Sequence, residues 1–196
     1  MIRAGRVRPH GRALTLVELI FAIAGTAAVG LAVAGMLAAT SYGTSSRNDM
    51  RELLVRGKAV NERVAESVRS ARRVLAHGDD WLVLWLATED HPETPTLHSL
   101  LRIEFDSTAE ELIAYRASEG AAEASYELDE NFAALTQQLI GQGRLQPRRW
   151  SRAVANWRLF ADEAPPATRY VRWELELVTE LAEHATVAAA SPRRAE

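Results

Sequence analysis

The 196-residue chain contains no cysteine. That excludes a disulfide framework, a thiolate zinc site, an iron–sulfur cluster and a cysteine nucleophile. It does not exclude export, because disulfides are permitted outside the cytoplasm rather than required there. Positive charge is also short. Lys and Arg number 23 against 26 Asp and Glu, giving a net charge of −3. A nucleic-acid surface wants a concentrated positive excess, so no nucleic-acid partner is expected. Histidine is scarce, and His10, His77, His91, His98 and His184 never fall in H-x-x-x-H or H-E-x-x-H spacing. G-x-S-x-G, Walker A and G-x-G-x-x-G are absent. The chain therefore does not read as an enzyme, and no cofactor is expected. Asp90, His91 and Glu93 share a Pro-containing segment that reads as an exposed polar loop rather than a metal site. The pairs Asp79-Asp80 and Glu110-Glu111 fall at expected turns without a calcium-loop spacing, so no metal ligand is assigned.

What is present is unevenly distributed. Residues 1–13 (MIRAGRVRPHGRA) hold Arg3, Arg6, Arg8 and Arg12 and no acid. From Leu19 to Ala39 no residue is charged, and Thr26 is the only polar one. A helix of that length spans roughly 31 Å at about 1.5 Å per residue, the hydrocarbon thickness of a bilayer. Basic residues before the run orient the N-terminus toward the cytoplasm and send the remainder across. Eight of the run's residues are Ala, and Gly25, Gly30 and Gly35 are spaced five apart. Small residues favour close helix–helix approach in lipid, although this spacing makes no G-x-x-x-G face. Glu18 stands at the mouth of the run. An ionised carboxylate inside lipid costs on the order of 2–3 kcal/mol or more. A carboxylate there makes sense if a cation is delivered to it, and the free α-amino group of a neighbouring copy would serve.

The segment Ala13-Leu14-Thr15-Leu16-Val17-Glu18-Leu19-Ile20 resembles the processing motif of type IV prepilins and type II secretion pseudopilins. The resemblance implies cleavage between Ala13 and Leu14 by a prepilin peptidase, N-methylation of Leu14, and assembly through Leu14 and Glu18. Thr15, Leu16, Val17 and Leu19 complete the motif. Two positions depart from the family pattern: Ala13 stands where Gly is usual before the cut, and Gly35 where many members carry Pro. The competing reading is a Sec signal peptide, for which Ala32-Val33-Ala34 offers an A-x-A site. The mature N-terminus distinguishes them, methylated Leu14 in one case and Gly35 in the other. Loss of the leader's four arginines would leave 19 basic and 26 acidic side chains, a formal −7.

Beyond the apolar run, Thr40–Ser46 is small and polar and reads as the exit from the membrane, with a soft interruption near Gly43. Met50, Leu53, Leu54, Val60, Val64, Val68, Ala71 and Leu75 recur at helical spacing, with charges opposite, which predicts an amphipathic helix ending at His77-Gly78. The period then changes. Trp81–Thr88 reads as a strand buried on both faces. Leu101, Ile103 and Phe105 alternate with Arg102, Glu104 and Asp106 as a half-buried strand, with Leu112–Ala117 as its hairpin partner. Strands are also expected at Ala153–Ala161, around Val171–Leu177 and at His184–Ala190. Ser118–Arg149 is ambiguous, with a short helix around Asn131–Ile140. The five tryptophans read mostly as core, with Trp150, beside Arg148-Arg149, the candidate for a partner contact.

The expected architecture is α+β, a long N-terminal helix packed on an antiparallel β-sheet domain. Its divisions are leader 1–13, transmembrane and assembly helix 14–39, amphipathic continuation 40–78, globular domain 79–190 and disordered tail 191–196. The resemblance implies a structural subunit of a secretion or pilus-like fibre, most similar to the J-type minor pseudopilins. Implied partners are other pilin-like subunits, the prepilin peptidase, an inner-membrane assembly platform and membrane lipid. The implied location is the bacterial inner membrane, with the C-terminal domain periplasmic. The alternative is a single-pass anchored binding or sensor domain with no fibre role.

Overall fold

Aliphatic and small residues without a single proline run from Leu16 onward, and they form one helix, α1 (Leu16–Ser70). The computed structural model describes residues 15–87, 93–179 and 182–193, with 42–46 described as backbone only. The helical assignment continues through 40–46, so the interruption expected near Gly43 is not found. The chain nevertheless divides into two compact units, up to Ser45 and from Ser46 onward.

In the second unit, α1 presents Leu53, Val60, Val64 and Val68 to the core at helical spacing. Gly57 lies on the same stripe, where an added Cβ would stand 3.2 Å from the His184 ring. Met50 and Leu54, expected on the buried face, are instead substantially exposed beside Val55. The buried stripe is thus narrower at its start than the sequence implied.

The helix also ends earlier than expected. Ala71–His77 is not helical but forms strand β1, which pairs antiparallel with β2 (Trp81–Leu86). Ala71 and Leu75 continue the four-residue spacing of α1, which is why the pattern reads on as helix. The hairpin prevails because His77-Gly78-Asp79-Asp80 supplies its turn, closed by Gly78 N–H donating to Trp81 O at 2.9 Å. Gly78 is required there, since a Cβ would lie 2.4 Å from Trp81 Nε1.

β3 (Leu100–Asp106), β4 (Glu111–Ala117) and β5 (Leu145–Arg152) complete a five-stranded antiparallel sheet in the order β1-β2-β3-β4-β5. β6 (Val154–Ala161), β7 (Val171–Val178) and β8 (Glu183–Ala190) form a separate three-stranded antiparallel sheet. Two sheets therefore replace the one expected. Strand β5 begins within the stretch Ser118–Arg149 left ambiguous by the sequence and runs three residues past it, where Pro147 and the RRWSR run hide the alternation. It is tolerated as an edge strand, where a missing N–H costs no ladder bond.

Each sheet face meets a different layer. One face of the large sheet (Leu82, Leu84, Leu101, Ile103, Leu112) shares a core with α1 and with Trp157, Trp173 and Leu175 of the small sheet. The other face (Val83, Trp85, Leu100, Leu145) packs with Phe132 and Leu139 of α2 (Phe132–Gly141) and with Tyr126. That double cover explains the unbroken apolar run of β2. It also corrects the expectation for β3, because Arg102 is only 2% exposed. Its Nη1 donates to Thr136 Oγ1 at 3.0 Å, its Nε donates to Glu104 Oε2 at 2.9 Å, and its guanidinium lies over the Trp81 ring. Helix α2 begins as its sequence implies, Asn131 Oδ1 accepting from Ala134 N–H at 3.2 Å.

The architecture is α+β, a long N-terminal apolar helix followed by a helical segment and an antiparallel β domain. Beyond β8, Arg193 N–H donates to Ala71 O at 2.9 Å. Residues 191–193 are therefore tied to the start of β1 rather than free as expected, and 194–196 lie outside the described residues.

Candidate assembly helix

The apolar run begins with a hydrogen-bonded first turn. Thr15 precedes α1 and Glu18 is its third residue. Thr15 N–H and Thr15 Oγ1–H both donate to Glu18 Oε2 at 3.0 Å, and Glu18 N–H donates to Thr15 Oγ1 at 3.3 Å. This reciprocal arrangement is a capping box, in which two donors left over at a helix start satisfy each other's side chains. The carboxylate also sits where the helix dipole favours negative charge. The T-x-x-E spacing carried this signal in the sequence, and the reading of Glu18 as an ion-pair acceptor overlooked it. Capping and ion pairing are compatible, because Oε1 has no bond within this first turn.

Leu16–Ser41 is long and apolar enough to cross a membrane, with a mean hydropathy of 2.2, and it is the one such helix among the described residues. None of that segment is buried by the rest of the chain. Leu16, Phe21, Leu31 and Met36 are each more than 70% exposed. The two threonines bond within the helix: Thr26 Oγ1 donates to Ala22 O or Ile23 O, and Thr40 Oγ1 to Met36 O or Leu37 O. Neither threonine thus presents a lone hydroxyl to hydrocarbon. An added Cβ at Gly25, Gly30 or Gly35 would meet no atom within 4 Å. Among the described residues nothing requires glycine at these three positions.

No family model matches this chain. No curated protein and no solved structure matches it either.

Of the motif residues, Thr15, Leu16, Val17, Glu18 and Leu19 are brought together in the first turns of α1, and Leu19 N–H donates to Thr15 O at 3.1 Å. Ala13 and Leu14, the residues flanking the expected cut, lie outside the described residues, as do His10, Asp90 and His91. Asp79 and Asp80 serve the β1–β2 turn, their carbonyls accepting from Leu159 N–H and Phe105 N–H at 2.9 Å. Glu111 pairs with Arg149 at 2.6 Å and faces Arg152 at 3.7 Å. Among the described residues no three His, Asp or Glu gather as metal ligands. Trp150 sits at a break in register between β4 and β5 and packs half-buried on the core, so it is not a freely presented contact.

Proposed function

We propose that the chain is a structural subunit of a secretion or pilus-like fibre, a minor pseudopilin in kind. Its leader is removed after Ala13, and it is held in the inner membrane until its N-terminal helix packs among those of other subunits. The observation that carries this reading is the uncovered apolar helix Leu16–Ser41 opening on a carboxylate. A segment meant only to anchor needs hydrophobicity. It needs neither a carboxylate at its lip nor three glycines that meet no atom among the described residues. Both features suit a helix that approaches other helices closely and meets a charged group at its start.

In this reading Glu18 receives the α-ammonium of Leu14, from its own chain or a neighbour. Such a pair contributes more to register than to raw stability, because leaving either charge alone in lipid is costly. Mass measurement of the N-terminus on protein from its native host tests the proposal. A chain beginning at methylated Leu14 supports it, and one still beginning at Met1 or starting at Gly35 overturns it.

A second reading is favoured by one observation, the capping box, which gives Glu18 a local role that needs no partner. On this reading the protein is a single-pass anchored binding or sensor domain. It would keep its leader and remain monomeric.

A further inference from the structure

The edge of a sheet presents unpaired N–H and C=O groups, and folded proteins blunt such edges against pairing with other chains. Three of the four edges in this domain are blunted. β1 is interrupted by two breaks in register, carries Arg72 and Arg73, and has Ala71 O taken by Arg193 N–H. β5 carries Pro147, Arg148, Arg149 and Arg152. β6 is tied to turns of the large sheet, Val154 N–H donating to Glu110 O at 3.0 Å and Leu159 N–H to Asp79 O at 2.9 Å. β8 has none of these devices. It ends the small sheet, reads EHATVAAA without proline, lysine or arginine, and pairs with β7 along its whole length with no break in register.

The register settles which groups of β8 face outward. Val178 N–H donates to Ala153 O, away from β8, and Thr179 N–H closes the β7–β8 turn on Ala182 O. Antiparallel pairs alternate between hydrogen-bonded and unbonded. Glu183, opposite Val178, is therefore in an unbonded pair, and so are Ala185, Val187 and Ala189. Their N–H and C=O groups point away from β7, and among the described residues no other backbone group engages them. Their side chains are exposed, that of Val187 by 61%. The alternate residues face α1, where Asn61 bonds to Thr186 and Gly57 lies beside the His184 ring. A groove of about 550 Å³ runs between α1 and β8, lined by Leu54, Ala65, Thr186 and Ala188 together with the exposed Lys58 and Arg69.

A row of outward donors and acceptors at strand spacing complements another extended backbone, and a groove beneath it takes every second side chain of that strand. We propose that β8 receives an extended segment of a partner protein as a fourth, antiparallel strand of the small sheet, with aliphatic side chains at alternate positions and a Lys or Arg at its C-terminal end. The aliphatic side chains fill the groove against Leu54 and Ala65. A second copy of β8 would bring, His184 apart, only Thr186, Ala188 and Ala190, and side chains so small leave most of that volume empty. The basic residue meets the start of β8. There the carboxyls of Glu183 and Glu176 stand within hydrogen-bonding reach of each other, and that bond and the Glu176 charge hold the Glu183 carboxyl above its ordinary value. The proposal does not rest on the fibre reading.

The test uses the full chain in detergent and a capped peptide of about eight residues, a common strand length, alternating Val and Thr and ending in Lys. Amide exchange is read by NMR. Without peptide the outward amides of Ala185, Val187 and Ala189 exchange freely, while those of Thr186 and Ala188 are protected by β7. With peptide the outward amides slow by about tenfold or more. A peptide ending in Glu, or one N-methylated at alternate residues, binds about tenfold more weakly. Val187→Pro removes an outward N–H without breaking a bond to β7, and Leu54→Asn removes an aliphatic wall of the groove; each weakens binding by about tenfold. Val55→Asn, at an α1 position 71% exposed and outside the groove, leaves it unchanged. A thermal melt verifies that each variant folds, and Leu54→Asn decides alone if Val187→Pro does not. The proposal is overturned if the outward amides are protected without peptide or do not slow with it. It is overturned equally if the Glu-ended peptide binds as well, if Leu54→Asn binds like the parent, or if Val55→Asn weakens binding as much. A chain that sediments as a dimer dissolved by Val187→Pro would also overturn it and assign the edge to a second copy.

Discussion

Glu18 caps its helix in the structure and, in the fibre reading, carries a second, electrostatic role, which a pair of substitutions separates. Its carboxylate closes the capping box with Thr15 at 3.0 Å, and in the fibre reading its charge also meets a terminal amine. Glu18→Gln keeps an acceptor oxygen at the same place but removes the charge. Glu18→Ala removes both. Losing the cap costs about 0.5–2 kcal/mol, confined to the first turn. An amine left unpaired in lipid costs roughly 2–3 kcal/mol, a factor of about thirty to more than a hundred in the occupancy of the assembled state. Amide exchange on the protein in detergent should show frayed amides at residues 16–19 for Glu18→Ala and near-parental protection for Glu18→Gln. Co-purification with fibre partners from the native host should fail for both variants, while membrane insertion and leader removal proceed in both. Parental assembly by Glu18→Gln would refute the electrostatic argument and leave Glu18 with its capping role alone.

Asn61 joins α1 to the small sheet, accepting from Trp173 Nε1–H at 2.8 Å and donating to Thr186 Oγ1 at 3.1 Å. Asn61→Leu should destabilise the domain by about 1–3 kcal/mol, because the buried indole N–H then lacks an acceptor; denaturant unfolding measures this. Ala153, between β5 and β6, has a φ of 58°, a region unfavourable for a residue with a Cβ. Ala153→Gly should stabilise by up to about 1 kcal/mol and Ala153→Val should destabilise by more than that, again read by denaturant midpoint. At Asp162, desolvation pushes the carboxyl up, but the N–H groups of Arg169, Tyr170 and Glu163 outweigh it and hold the group below the ordinary carboxylate range. The loop contacts are therefore intact above that range and are lost as pH falls through the lower folded value. Amide protection at Arg169 and Tyr170 should drop on acidification, and Asp162→Asn should remove that pH dependence.

Much of this architecture was legible because burial leaves a period. The apolar run, the β2 run and the alternation of β7 were each readable, and β7 appears with Val171, Trp173, Leu175 and Leu177 all buried. The failures share a cause, which is that tertiary partners set the outcome. Ala71 and Leu75 keep helical spacing, yet pairing with β2 takes them into a strand. Arg102 looks like a solvent-facing residue in β3 until α2 covers that face and offers Thr136 as a partner. β5 could not be read because an edge strand with Pro147 and three arginines carries little alternation. At the N-terminal apolar helix the motif residues stood in the sequence, but their hydrogen bonds did not, although T-x-x-E spells them.

Both sheets are built with every strand hydrogen-bonded to its neighbour in the chain. The ladder can therefore grow one hairpin at a time, each step closing a loop of modest entropy. The bonds from Asn61 to Trp173 and Thr186 are of another kind, linking residues 112 and 125 positions apart. These contacts cannot form until nearly the whole chain is available. A polypeptide threading through a narrow channel from its N-terminus would thus complete the large sheet first. The helical stripe around Leu53 and Val64 would stay only partly covered until the last strands arrive, a waiting period in which a chaperone has something to hold.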